Sequence, residues 1–99
     1  MLPLRITSLA HRDIADAALW FESQQLGLGE RFFAEVDATV ATVCERPSSF
    51  PEVYRTLRRA QVKYFQYGVF FHLLEHEIVI VGVVGLRRDP RVYQSRALD

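Results

Sequence analysis

Leu2, Leu4 and Ile6 alternate with other residues, and that period of two predicts a short strand. The period then lengthens. Ala10, Ile14, Ala17 or Ala18, and Phe21 recur at helical spacing. Thr7 or Ser8 offers an N-cap, and Asp13 and Asp16 stand early, where the helix macrodipole favours negative charge. This helix is expected to stop near Gln24 or Gln25, before Gly27-Leu28-Gly29. A second helix follows, with Phe32, Val36, Val40 and Val43 as its inner stripe and Leu28 one turn earlier. Pro47 biases Arg46 away from helical angles and sets its end. The short connector predicts an antiparallel helix pair.

Arg46-Pro47-Ser48-Ser49-Phe50-Pro51 reads as a loop. Three strand-like stretches come next: residues 54–64, then 69–74 after a bend at Tyr67-Gly68, then 78–84. Glu75-His76-Glu77 is a short polar link, so the last two stretches form a hairpin. The predicted order is β-α-α-β-β-β in one domain over residues 1–99. The fold class is α+β, a helical hairpin packed on one face of a small antiparallel sheet.

Residues 69–74 and 78–84 are apolar at almost every position, whereas a half-exposed antiparallel strand alternates. Two helices cover one face only. Some of Phe70, Leu74, Val79, Val81 and Val83 are therefore expected to face outward and to be covered by a partner segment or a second copy of the chain.

The 99 residues carry no net charge, but the charge is unevenly placed. Four basic and seven acidic residues stand in the first fifty positions, eight and five in the rest, so the halves are −3 and +3. That asymmetry suits an acidic partner for the second half, without the excess of a dedicated nucleic-acid binder. The single cysteine, Cys44, forms no internal disulfide and reads as a buried thiol in a reducing compartment. Met1-Leu2-Pro3-Leu4-Arg5 does not open a secretory leader and the apolar run is too short to span a bilayer, so a cytoplasmic protein without membrane association is expected. His72 reads as a core or cross-strand residue, His76 as a turn residue and His11 as water-facing; no metal site is expected. No phosphate-cradling glycine loop or serine-triad motif is present, and no cofactor is expected.

The apolar run ends in Gly85-Leu86-Arg87-Arg88-Asp89-Pro90-Arg91-Val92-Tyr93. A buried strand thus delivers arginines and a tyrosine to its carboxyl end, and arginine grips phosphate or carboxylate through a planar fork. Two readings stand. The arginines hold an anion and Tyr93 serves as acid or base, or the arginines are solvated, with Asp89 as partner, and Tyr93 packs against the sheet.

Gly27-Leu28-Gly29-x-x-Phe32, Phe50-Pro51, Arg58-Arg59-Ala60, Phe65-Gln66-Tyr67-Gly68-Val69-Phe70-Phe71 and Arg87-Arg88-Asp89-Pro90, in that order, resemble the RelE/ParE superfamily of bacterial toxins. The resemblance implies a toxin of a type II toxin–antitoxin system, held in a hetero-oligomer by a cognate antitoxin that wraps around it. The glycine connector and Tyr67-Gly68-Val69-Phe70-Phe71 resemble the ParE-like branch, which implies DNA gyrase inhibition. The RelE-like alternative is a ribosome-dependent mRNA endoribonuclease, which implies catalytic roles for Arg59, Arg87 and Tyr93. Gly68 stands where that branch has an arginine, and Arg59 and Lys63 are the substitutes for its paired lysines. A third alternative is a non-toxic, antitoxin-bound scaffold. Phosphate or partner contacts are expected from Arg58, Arg59, Lys63, Arg87, Arg88 and Arg91. The antitoxin groove is expected at Trp20, Phe21, Phe32, Phe33, Phe70 and Val81.

Overall fold

Thr7 closes strand β1 (Leu4–Ile6) and opens helix α1 (Ser8–Gln24), its hydroxyl accepting the Ala10 amide at 3.2 Å. The computed structural model describes residues 1–98. Three residues separate the end of α1 from helix α2 (Leu28–Glu45). Gly27 makes the reversal with φ +88°, a left-handed conformation that suits glycine. Glu22 on α1 fastens the turn by accepting the Gly27 and Gly29 amides, each at 2.9 Å. Those amides hold its carboxyl below the usual carboxylate range. Gly29 also permits close helix packing: a Cβ there would stand 2.6 Å from the Ala18 carbonyl oxygen.

After a 3-10 turn at Pro47–Ser49 come β2 (Glu52–Tyr54), β3 (Leu57–Gln61), β4 (Tyr67–Leu73), β5 (Ile78–Gly85) and a short helix α3 (Arg91–Gln94). The sheet order is β1-β5-β4-β3-β2, with β1 parallel to β5 and every other pair antiparallel. The parallel β1–β5 pair and the short α3 were not expected, and two further details differ from the sequence pattern. The stretch expected over 54–64 is split by a reversal at Arg55 (φ +54°) between β2 and β3, and β3 ends at Gln61, before a second reversal near Tyr64 (φ +67°) leads into β4. Tyr67 and Gly68, expected to bend, are the first residues of β4.

A β-bulge explains the unbroken apolar run. Phe70 pairs with Gly82 but Phe71 with Ile80, so Val81 is the extra residue and the alternation shifts by one. Ile78, Ile80 and Val83 enter the core beneath the helices, while Val79, Val81 and Val84 enter a second cluster on the outer face.

That outer face is not open, which corrects the expectation that a partner or second copy covers it. The chain's own segment beyond β5 lies across it, packing Leu86, Val92, Tyr93 and Ala97 over Leu57, Phe70, Val79, Val81 and Val84. Tyr93 stacks flat on Phe70, ring centroids 4.4 Å apart at 11°. Phe70 and Val81 are left only 1% and 2% exposed.

Two polar anchors fix the segment. Arg96 forks onto Asp13 of α1 at 2.9 and 3.0 Å and donates to the Val81 carbonyl at 3.0 Å. Asp13 in turn accepts the Val83 amide at 3.0 Å, a structural bond rather than the helix-end role read from the sequence. Gly82 leaves room for this pair, since a Cβ would come within 3.2 Å of Arg96 Nη1. The second anchor is the buried His72, whose Nε2 accepts the Leu98 amide at 2.9 Å. Its proton therefore sits on Nδ1 and is donated to Thr56 Oγ1 at 3.2 Å.

Two outcomes are expected. Asp13→Ala leaves Arg96 without its carboxylate partner and orphans the Val83 amide; with both side chains only 17% exposed, it lowers unfolding free energy by about 3 kcal/mol in urea denaturation. Burial pushes the His72 imidazole below its ordinary value of 6.5, with the Thr56 backbone opposing. Its contribution to stability is whole above that value and is lost as pH falls through the depressed one, because the unfolded chain takes up the proton first. Denaturation midpoints of the wild type should fall from about pH 7 to about pH 5, and His72→Gln, which keeps an acceptor for Leu98, should flatten that decline.

Candidate binding surfaces

Strand β5 ends in a tight turn in which the Arg88 amide donates to the Gly85 carbonyl at 3.1 Å. The Leu86 amide donates to the Gln66 carbonyl at 2.8 Å, so this turn and the β3–β4 connection are tied together. Between them and the end of α1 lies an open cavity of about 490 Å³. Trp20, Phe21, Tyr64, Phe65, Gln66, Tyr67, Gly85, Arg87 and Arg88 line it. Its inner wall is rigid: Phe21 meets Phe32, Phe65 and Tyr67 with centroids 5.1, 4.9 and 5.7 Å away.

The six basic residues expected to contact phosphate or a partner separate into three groups. Arg87 and Arg88 stand exposed at the cavity, with no ion pair among the described residues. Lys63 adjoins them only through Tyr64, its Nζ 5.3 Å from that ring's centroid, and lines a separate cavity with Glu35. Arg58 and Arg91 are spent within the fold. Arg58 donates to the Phe50 carbonyl at 2.6 Å, and Arg91 grips Asp89 at 2.6 Å and holds that carboxyl below its usual range. Asp89 is thus the partner of Arg91 rather than of Arg87 or Arg88. Arg59 flanks Gly68, where an added Cβ would stand 3.1 Å from Arg59 Cγ.

Arg31 was missed in the sequence. It belongs to α2, yet its guanidinium carbon lies 5.3 Å from the same Tyr64 centroid. No spacing along the chain signals that approach; the tertiary packing of α2 beside the β3–β4 turn creates it.

The second surface is a groove across the helical hairpin, of about 490 Å³, with Ala15, Ala18, Leu19, Gly29 and Phe33 among its lining. Leu19 is 71% exposed and Phe33 44%. Of the residues expected in an antitoxin groove, Trp20 and Phe33 are at the surface and Phe21 is half-buried. Phe32, Phe70 and Val81 are core residues and offer no surface in this conformation. Leu19 was overlooked; an apolar residue off the inner stripe of α1 is the signal that marks it.

Cys44 is half-buried rather than fully buried. His11 and His76 face water and His72 is in the core, as their positions predicted. No cluster of three or more histidine, cysteine or carboxylate groups that could hold a metal is found among the described residues. No helix among them is long and apolar enough to cross a membrane.

A family model described as the ParE toxin of type II toxin–antitoxin system, parDE, matches residues 4–90. The fold has a counterpart in a solved structure titled the chromosomal ParDE TA system from P. aeruginosa, with a TM-score of 0.66 and 18% identity over 86% of this chain and 96% of that one. No curated protein sequence is significantly similar to the chain. The chain belongs to the ParE toxin family of type II toxin–antitoxin systems.

Because Arg87 and Arg88 have no ion pair within the described fold, Arg87→Glu and Arg88→Glu should each leave unfolding free energy within about 0.5 kcal/mol of wild type in urea melts. A larger loss would mean that these arginines hold the structure together.

Proposed function

We propose that this toxin inhibits growth in the cytoplasm by binding DNA gyrase, without chemistry of its own, and that a cognate antitoxin silences it. The observation that carries this reading is Tyr93 laid flat on Phe70. RNA cleavage through a 2′-hydroxyl needs an acid, a base and cations around one phosphate. Tyr93 is packed into the outer cluster, whereas Arg87 lines the aromatic cavity beside Trp20. Arg59, Arg87 and Tyr93 thus support a contact surface better than a catalytic triad.

The antitoxin docks on the helical hairpin. Leu19 and Phe33 flank an apolar groove of a shape that receives an amphipathic helix through a few spaced anchors.

Expression of the chain alone should arrest growth, raise the DNA-damage response and leave mRNA intact, and the purified protein should slow supercoiling by gyrase. Codon-specific mRNA cleavage with normal supercoiling would replace this reading with the nuclease one, and unimpaired growth would leave the scaffold. Leu19→Asp with Phe33→Asp should keep the arrest yet weaken rescue by the neighbouring gene's antitoxin at least tenfold in dose, as expected when two central apolar anchors are lost. Full rescue would move the antitoxin to another face.

A further inference from the structure

The cavity at the end of β5 combines two features that neither helix packing nor the outer cluster requires. It has two arginines without an ion pair among the described residues at one side and exposed aromatic side chains at the other. Trp20 is 57% exposed and Tyr64 is 69% exposed. Tyr64 is held there by the β3–β4 turn in the left-handed region at φ +67°, an uncommon conformation for a tyrosine.

The surrounding charges give the site a direction. Glu22 is occupied by the Gly27 and Gly29 amides, Asp13 by Arg96 and Asp89 by Arg91. Asp16 lines the neighbouring cavity that shares Trp20 and Arg88, so that side repels an anion. On the other side Arg31 and Lys63 both lie against Tyr64. An anionic chain entering at Arg87 and Arg88 is therefore led toward Tyr64 and away from Asp16.

An acidic peptide needs only the cations. Exposed ring faces are rewarded by a planar partner, and every nucleobase presents one directly beside a phosphate. The volume, about 490 Å³, is in the range of small-ligand sites. We infer that this cavity receives one unstacked nucleotide of single-stranded DNA, its base against Trp20 and its phosphate on the Arg87–Arg88 turn. The choice of DNA rests on the gyrase reading: gyrase holds a duplex and cuts it, and a nucleotide unstacked at the cut strand is the single-stranded DNA that the toxin then touches beside the enzyme. Arg31 and Lys63 meet the phosphates that follow.

Trp20 is the only tryptophan, so its emission reports on the site directly. The full-length toxin is titrated with an octathymidylate, an octauridylate and a Glu-rich octapeptide. The octathymidylate should quench Trp20 with a dissociation constant of roughly 10⁻⁴ to 10⁻⁶ M, with a log–log salt slope of about −0.7 for each phosphate engaged. Arg88→Ala should reduce that slope by about 0.7. Trp20→Ala, read by anisotropy of a labelled octathymidylate, should weaken binding about tenfold or more. Gly85→Leu, which fills the cavity without changing charge or requiring a left-handed backbone, should do the same.

Quenching by the peptide or the octauridylate alone overturns the inference, as does DNA binding indifferent to Gly85→Leu. The two proposals fail separately. Gyrase inhibition without octathymidylate binding removes the nucleotide site and leaves the function. Octathymidylate binding without gyrase inhibition removes the function and leaves the site.

Discussion

The Asp13–Arg96 pair stands where another strand would stand. Strand β1 covers β5 only from Ile78 to Ile80. Beyond that point the bulge at Val81 turns the Val81 carbonyl and the Val83 amide toward a bare sheet edge. An unpaired edge is both a cost in unmet hydrogen bonds and an invitation to wrong pairing. Arg96 donates to the carbonyl, Asp13 accepts from the amide, and the two side chains close on each other. One ion pair thus completes the sheet, ties α1 to β5 and holds the outer segment in place.

The layers on either side follow from that closure. The helical hairpin covers one face through Phe32, Val36 and Val43, and the outer segment covers the other through Tyr93 on Phe70. With both faces occupied, the carboxyl end of β5 is where charged groups remain free. Arg87 and Arg88 are there because the strand beneath them is rigid and because Asp89 has turned to Arg91. The same packing leaves Leu19 and Phe33 outside, on the hairpin surface that faces away from the sheet. The two candidate surfaces are thus residues of the fold's own accounting of polar and apolar groups.

The boundaries were legible wherever one residue decides the backbone. Thr7 as a cap, Gly27 at the reversal and Pro47 after the second helix each act locally, and each stands where its chemistry predicted. The apolar run was legible as a strand but not as to what covers it. Self-coverage depends on Val92, Tyr93 and Ala97, which lie in and after a four-residue helix too short to show a period. The bulge at Val81 left no turn residue to announce it other than Gly82. The cation cluster was half legible: Lys63, Arg87 and Arg88 were marked by charge, while Arg31 arrives from another helix. Neither Arg55 nor Tyr64 belongs to the residues that usually adopt positive φ, so the extra turn within residues 54–64 gave no sign.

Strand β1 has a temporal consequence. It pairs in parallel with β5, and Asp13 and Arg96 meet across 83 positions of chain. During synthesis the helical hairpin can form from local contacts while β5 has yet to emerge. The sheet then gains β5, the strand that joins β1 to β4, late and its outer cover later still. A nascent chain therefore passes through an interval in which Phe70, Val79 and Val81 are assembled but uncovered, the kind of surface that draws aggregation or a waiting binder.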